Sequence, residues 1–335
     1  MKYYYRPILQ TDVSPTHQAI RLAGGWTWFA HVEQISRAGT RRIISAAEVP
    51  TETLEALSAP RAPIAGLSMD RPRLMGILNV TPDSFSDGGK FNAPDAALTQ
   101  GRALADAGAD MIDVGGESTR PGADDVVAGE EITRTAAAIG ALRAAGVTTP
   151  ISIDTRKAAV AQAALLAGAN LINDVAAFTY DLDLAGVAAN AGVPVCLMHA
   201  QGTPQNMQAA PQYDDVLLDV YDFLEERVAM AEAAGIPRAD IVVDPGIGFG
   251  KTQAHNIALL QGISLFHGLG CPVLLGASRK RFIGEIGNAP DPADRTPGSI
   301  AVALAAAAQG VQFLRVHDMT ETRQALSLAE ALWNL

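Results

Sequence analysis

The stretch Met75 to Gly89, MGILNVTPDSFSDGG, begins as a short apolar run and stops at Asn79. It then breaks into a loop holding Pro82, Asp83, Asp87, two serines, Phe85 and a pair of glycines. A strand buried on both faces that delivers a polar side chain to a pocket mouth reads this way. An ordinary strand followed by a surface turn reads the same in isolation. The surrounding chain decides between them.

From Leu74 onward one pattern recurs. A short run rich in β-branched residues ends in a polar residue, a loop follows, and an Ala-rich amphipathic segment closes on glycine before the next run. The runs are LMGILN, DMIDVGG, ISIDT, NLINDV, PVCLMH, DIVVDPG, PVLLGAS and FLRVHD, eight in all. The helical segments end near Gly108, Gly146, Gly168, Gly192, Gly235, Gly270 and Gly310, the residue type favoured where a helix exits through a left-handed conformation. The runs are nearly continuous in apolar character, as strands covered on both faces require. Eight such units predict an α/β fold, a (β/α)8 TIM barrel. The runner-up, a doubly wound open sheet, announces itself with a Gly-rich first turn, and TPDSF stands there instead. Asp318 and Glu321 are expected to cap the last helix as a reciprocal pair, with Ala325, Leu328, Leu332 and Trp333 on one broad face.

In such a barrel the functional side chains gather at the C-terminal ends of the strands. Those ends supply Asn79, Asp113, Asp154, Asn173 with Asp174, His199, Asp244, Ser278 with Lys280, and Arg315 with His317. A polar residue at one strand end caps the next helix as often as it binds anything. Polar residues at all eight carry more weight. Acids and amides on the third, fourth and sixth strands suit a flat heterocycle with N–H donors. The bases on the seventh and eighth, with Arg120 in the second loop, suit a phosphate or carboxylate.

Composition narrows the class. The 335 residues are 48% hydrophobic and 18% charged, with a formal net charge of −11, which argues against non-specific nucleic-acid binding. An anionic substrate then needs a local cluster of cations. No uncharged apolar run reaches the ~18 residues of a membrane span, and the first residues lack a signal-peptide core, so a cytoplasmic protein is expected. Cys196 and Cys271 sit in apolar runs and are expected to be buried, reduced thiols.

Residues 1–70 read differently and are expected to form an N-terminal extension packed on a barrel of residues 71–335. The segment holds Trp26, Trp28 and Tyr3 to Tyr5, an aromatic set expected to make a small core. RRIISAAEV reads as a strand, TETLEALSA as a short helix and APRAPIAGLSMDRP as a linker.

Some familiar motifs are excluded. DPGIGFGKT, Asp244 to Thr252, fails the phosphate-loop spacing because Pro245 stands where glycine is needed, and it fails the dinucleotide fingerprint because of Lys251. It reads as the sixth strand with a tight loop, Phe249 serving as an apolar wall and Lys251 as no more than a solvated loop charge. Zinc-spaced His and Cys clusters and a G-x-S-x-G elbow are both lacking, which sets aside a zinc or covalent serine mechanism.

The opening stretch resembles the N-terminal signature of the dihydropteroate synthases. The resemblance extends over roughly residues 72 to 333 through GGESTRPGA (115–123), SIDT (152–155), INDV (172–175), LMHAQGTPQNMQ (197–208), DPGIGFGKT (244–252), GASRKRFIG (276–284) and RVHD (315–318). It implies a transferase of folate biosynthesis, a sulfonamide target. Such an enzyme joins p-aminobenzoate to 6-hydroxymethyl-7,8-dihydropterin diphosphate with release of pyrophosphate, by dissociation first.

The resemblance places the pterin on Asp154, Asn173, Asp244, Lys280 and Arg315, walled by Ile77, Val175, Met198 and Phe249. The diphosphate falls to Asn79, Arg120, Arg315 and His317, with Mg²⁺ bridging Asn79 and the diphosphate. The p-aminobenzoate falls to Phe85, Thr119, Pro121, Lys280 and Arg281. Many relatives carry Ser where this chain has Arg281, so that arginine either pairs with the substrate carboxylate or faces solvent. Asp154, Asp244, Lys280, Arg315 and His317 are the expected catalytic set. Thr81 to Gly89 are expected to form a lid, mobile in the free enzyme, that brings Phe85 over the reacting carbon. Relatives are commonly homodimers. The competing readings are a methyltetrahydrofolate-corrinoid methyltransferase and a non-catalytic pterin-binding barrel.

Overall fold

In the computed structural model the described residues are 2–12, 19–81, 93–118, 123, 125–202, 205, 207 and 210–333. The expected eight strands are all present. They are β6 (Arg73–Asn79), β7 (Met111–Gly115), β8 (Ile151–Asp154), β9 (Leu171–Asp174), β10 (Val195–Met198), β11 (Ile241–Asp244), β12 (Leu274–Leu275) and β13 (Phe313–Val316), preceded by a five-strand extension described below. Between and after them lie α2 (Ala93–Asp106), α3 (Ala128–Ala144), α4 (Ala158–Ala167), α5 (Asp183–Ala191), α6 (Val216–Ala233), α7 (Gln253–Gln261), α8 (Arg281–Gly287), α9 (Thr296–Ala307) and α10 (Met319–Leu332).

The strands pair in parallel in the order β11-β10-β9-β8-β7-β6-β13-β12. A bridge between Val243 and Val273 joins the two ends, so the sheet curls into a barrel. All seven helix-closing glycines named from the sequence have positive φ. No helix among the described residues is long and apolar enough to cross a membrane. Cys196 and Cys271 are buried free thiols, and burial pushes both pKa values up.

Alternation along the strands explains why the mouth alone is polar. Successive side chains point to opposite faces. Leu74, Leu78, Ile112, Val114, Ile153, Ile172, Leu197 and Val243 join the core shared with the helices. Met75, Met111, Leu171, Cys196, Val242, Leu274 and Phe313 form a separate cluster inside the base of the barrel. Two residues further along, four of these inward rows change character: Met111 gives way to Asp113, Leu171 to Asn173, Val242 to Asp244 and Phe313 to Arg315, while Ile77 and Met198 continue two others as apolar walls. The base is a packed plug and the mouth is a polar cup.

The extension comprises β1 (Tyr3–Pro7), β2 (Ile20–Arg21), β3 (Trp28–Phe29), β4 (His31–Ser36), β5 (Arg41–Ser45) and α1 (Thr51–Ser58). Strands β1, β4 and β5 form an antiparallel sheet in that order, over a small core of Leu22, Phe29, Val32, Ile44 and Leu57. It rests against α6, the turn 263–269 and the end of α9. Trp26 donates its indole N–H to Ala307 O (2.9 Å). Ser264 Oγ donates to Pro7 O (2.9 Å), and Arg37 bridges Asp219 and Asp222 (2.7 and 2.6 Å).

Three local expectations are corrected. The stretch from Ala59 to Pro72 is no linker: Ile64 and Met69 are buried in the cluster at the base of the barrel, where the strands would otherwise present apolar side chains to water. Asp318 stands at the N-cap of α10 without a side-chain cap bond, because its carboxylate is taken by Arg279 (3.1 Å from Nε to Oδ2). The buried face of α10 is Met319, Thr322, Leu326 and Ala329, while Leu328 and Leu332 are exposed. Met319 of that face reaches β6, its terminal methyl lying 3.0 Å from where a Cβ on Gly76 would stand.

Candidate active site

Arg315 is the hub of the mouth. Its Nε lies 2.5 Å from Asp113 Oδ2 and its terminal nitrogen 2.7 Å from Asp154 Oδ2. Asn173 completes the group, donating from Nδ2 to Asp113 (3.2 Å). Asp113 is fully buried, and Asn173 and Asp244 are nearly so. Two carboxylates share one guanidinium, which leaves one buried negative charge uncompensated. Burial accordingly raises the pKa of Asp154 to about 7, with Arg315 opposing and Asp113 reinforcing the rise. Arg315 stays charged, its pKa lifted against its burial by the two carboxylates.

The opposite wall comes from β11 and β12. Asp244 Oδ1 accepts the Gly246 N–H (2.7 Å), and burial raises its pKa. Lys280 donates from Nζ to Ile247 O and stands 4.3 Å from the centroid of the Phe249 ring. Burial lowers its pKa to about 7, with Asp244 opposing. Gly276 leaves open the space between these walls: a Cβ there would lie 3.8 Å from both Arg315 Cδ and Asp244 Oδ2. Asn79 lies beside Gly115, 3.7 Å from the position a Cβ would take there. Ile77 and Met198 are buried on the inward face, and Val175 is half-buried after β9. His317 Nδ1 is 3.1 Å from Ser278 Oγ.

Arg281 stands apart from this group. Its side chain is 88% exposed and its Nε donates to Glu285 (2.7 Å). Phe85, Thr119, Arg120 and Pro121 lie outside the described residues, as does the expected lid beyond Thr81. Asp174, a strand-end candidate, accepts the N–H groups of Ala176 and Phe178 (2.8 and 2.6 Å) and closes the following turn.

Several residues that the sequence left without a role now have partners. Asp113, named as a strand end but given no ligand by the resemblance, lies on the inward face of β7 with Met111. Lys251, expected in solvent, is buried. Its Nζ contacts His199 Nδ1 (2.9 Å), His199 O (3.3 Å) and Phe249 O (3.0 Å). Burial lowers its pKa well below the ordinary value, and burial together with Lys251 lowers that of His199 to about 2.

A second buried cluster sits behind β8. Glu117 accepts from Lys157 Nζ (2.8 Å), Arg156 Nε (3.0 Å) and the Val126 N–H (2.8 Å). Arg156 also reaches Asp125 (2.6 Å). Both flanks of the segment carrying Thr119, Arg120 and Pro121 are thus tied to the residues just after Asp154.

A cup with carboxylates, an amide and two cations at the strand ends of a parallel barrel defines a binder of polar heterocycles. The family described as pterin binding enzyme matches residues 75–317. The chain belongs to that family, and within it to the dihydropteroate synthases. It is 45% identical over 265 residues to the dihydropteroate synthase of Escherichia coli (strain K12), covering 79% of this chain and 93% of that protein. The corresponding figures for the Synechocystis sp. dihydropteroate synthase are 45% over 263 residues, 78% and 91%. The Xanthomonas albilineans dihydropteroate synthase solved with 4-aminobenzoic acid superposes with a TM-score of 0.77 at 47% identity, covering 82% of this chain and 99% of that one. Residues 1–74 lie outside the family match.

Proposed function

We propose that this chain condenses 6-hydroxymethyl-7,8-dihydropterin diphosphate with p-aminobenzoate, giving 7,8-dihydropteroate and pyrophosphate. The observation that carries the reading is the convergence of Asp113, Asp154, Asn173 and Arg315 on one wall of the cup, with Asp244 and Lys280 on the other. A pterin presents a flat row of ring N–H, amino and carbonyl groups. Asp154, Asn173 and Asp244 would accept or exchange hydrogen bonds along that row, and Lys280 would donate to the carbonyl end. Ile77, Val175, Met198 and Phe249 would close over the faces, and Arg315 would lie against the ring.

The bond between the exocyclic methylene carbon and the diphosphate oxygen breaks first, and its electron pair leaves with pyrophosphate. Asn79, Arg120, Arg315 and His317 would bind the departing oxygens and stabilise their growing charge. The remaining cation is spread over the electron-rich dihydropterin. Its charge is favoured by buried Asp154 and Asp244, whose fields weigh more inside the protein than in water. The p-aminobenzoate nitrogen then attacks the carbon and loses a proton. A weak nucleophile meeting a preformed cation needs no strong base.

Asn79 offers one neutral oxygen at the mouth. That donor set fits Mg²⁺, which takes few protein ligands beside phosphate oxygens. When bound it would neutralise the diphosphate. Phe85, Thr119, Pro121, Lys280 and Arg281 are read as the p-aminobenzoate side. To reach the carboxylate Arg281 must leave Glu285, a change that costs little because exposed pairs of this spacing contribute only about 0.3–0.5 kcal/mol.

The family resemblance supports a cytoplasmic homodimer, with residues 1–70 as an extension of the barrel unit. Purified protein given both substrates and Mg²⁺ should form dihydropteroate with stoichiometric release of pyrophosphate, and a sulfonamide should compete with p-aminobenzoate. Absence of dihydropteroate under those conditions would exclude the reading.

A further inference from the structure

Strand β12 is the shortest in the barrel. It pairs with β13 only at Leu274–Phe313 and Leu275–Leu314, whereas β6 and β7 pair over five positions. Beyond Leu275 the backbone ladder no longer holds these two strand ends together, yet Lys280 follows one and His317 the other.

Side chains take over where the ladder stops. Ser278 Oγ accepts the His317 N–H (3.2 Å) and lies 3.1 Å from His317 Nδ1. One residue along on both segments, Arg279 grips Asp318 through Nε (3.1 Å) and its terminal nitrogen. Arg279 has φ +59°, a left-handed conformation that L side chains other than Asn and Asp seldom adopt. The conformation is held from both sides, since the Arg279 N–H donates to Ser299 Oγ (2.9 Å) and its carbonyl accepts from Arg295 (2.9 Å). The turn aims the next residue, Lys280, toward Ile247 O and the Phe249 ring.

We propose that Ser278 and Arg279, clasping His317 and Asp318, are positioning residues that fix the separation between Lys280 and His317. The inference rests on the reading above, in which Lys280 serves the pterin and His317 the diphosphate. Two subsites for one substrate must stand at a set distance, and a two-residue strand cannot set it alone. The clasp also explains why Asp318 is unavailable as a helix cap.

The test separates spacing from local damage. Arg279→Gln and Asp318→Asn, singly and together, are compared with the full-length protein in binding calorimetry against three probes: a pterin without diphosphate, pyrophosphate with Mg²⁺, and the intact pterin diphosphate. The expected result is a roughly tenfold weaker hold on the intact substrate, with each fragment alone bound within about twofold of the unaltered chain. The double variant should be no worse than either single one, because both break the same contact. Arg279→Lys, which keeps a charge facing Asp318, should recover part of the loss. Pyrophosphate alone weakened as much as the intact substrate, or losses that multiply in the double variant, would overturn the clasp. An unaltered chain that binds neither fragment would instead remove the site reading, and the clasp with it.

Discussion

Arg315 and Asp113 meet over strand β6 at the mouth of the barrel, 2.5 Å apart, and Asp113 is fully buried there with Asn173 as its other partner. Asp113 therefore orients both a base and an amide expected to face the pterin. Removing one member of a buried pair is more damaging than the pair is stabilising, because the other charge is left uncompensated.

Asp113→Ala should lower kcat/KM for the pterin diphosphate by about 100-fold, the equivalent of about 3 kcal/mol. KM for p-aminobenzoate should change much less, since its expected contacts lie elsewhere. Steady-state kinetics with each substrate varied in turn would show it. A loss confined to p-aminobenzoate would contradict this placement of Asp113.

The pH profile follows from the two shifted groups that face each other over the cup. Asp154, raised to about 7 by burial, gains its charge as pH rises through that value. Lys280, lowered to about 7 by burial, loses its charge over the same range. If both must be charged to bind the pterin, kcat/KM forms a narrow bell centred near neutrality. Asp113→Asn removes a negative neighbour, so Asp154 ionises more easily and the acid limb should move to lower pH. Lys280→Arg keeps its charge at all ordinary pH, and the alkaline limb should disappear even as the absolute rate falls. An alkaline limb unchanged in Lys280→Arg would assign it to another group.

Lys251 gives a stability prediction. Its Nζ faces two carbonyl oxygens and the His199 imidazole, so it joins the loop after β10 to the loop after β11. Lys251→Met would fill the space but leave those buried acceptors unpaired, at about 1–3 kcal/mol for each. The expected outcome is a destabilisation of about 2–4 kcal/mol, read as a lower urea midpoint at unchanged slope. A midpoint equal to that of the unaltered chain would mean that water replaces the ammonium without loss.

These cases show where the sequence was informative. The barrel strands could be read because each is a short apolar run buried on both faces, and Asp113, Asp154, Asn173, Asp244 and Arg315 fell on the inward row by simple alternation. What could not be read depends on partners distant in the chain. The carboxylate of Asp318 has the local spacing of a helix cap, but its partner Arg279 lies 39 residues away. The glycines around Lys251 suggest an exposed turn, and burial comes instead from His199, 52 residues earlier. Ile64 and Met69 are isolated apolar residues in a Pro- and Gly-containing stretch. No periodicity marks them as the plug of a barrel formed later in the chain.

That plug makes the extension separable at one point and not at another. A chain beginning at residue 71 loses Ile64 and Met69 from the barrel base, where both are buried against Met75, Met111 and Phe313. At about 1.5–3 kcal/mol for each buried side chain, the loss is about 3–6 kcal/mol, a large share of a typical domain's stability. A chain beginning at residue 59 keeps both, along with the Arg61 bond to His267 O (3.0 Å). It gives up the Trp26 and Ser264 contacts with the removed segment. The shorter chain should aggregate on expression, and the longer one should remain soluble with a reduced Tm. Ile64→Asp in the full-length chain should reproduce the defect of the shorter truncation, because it places a charge in the same plug. Equal solubility of the two truncations would show that the base of the barrel closes without Ile64 and Met69.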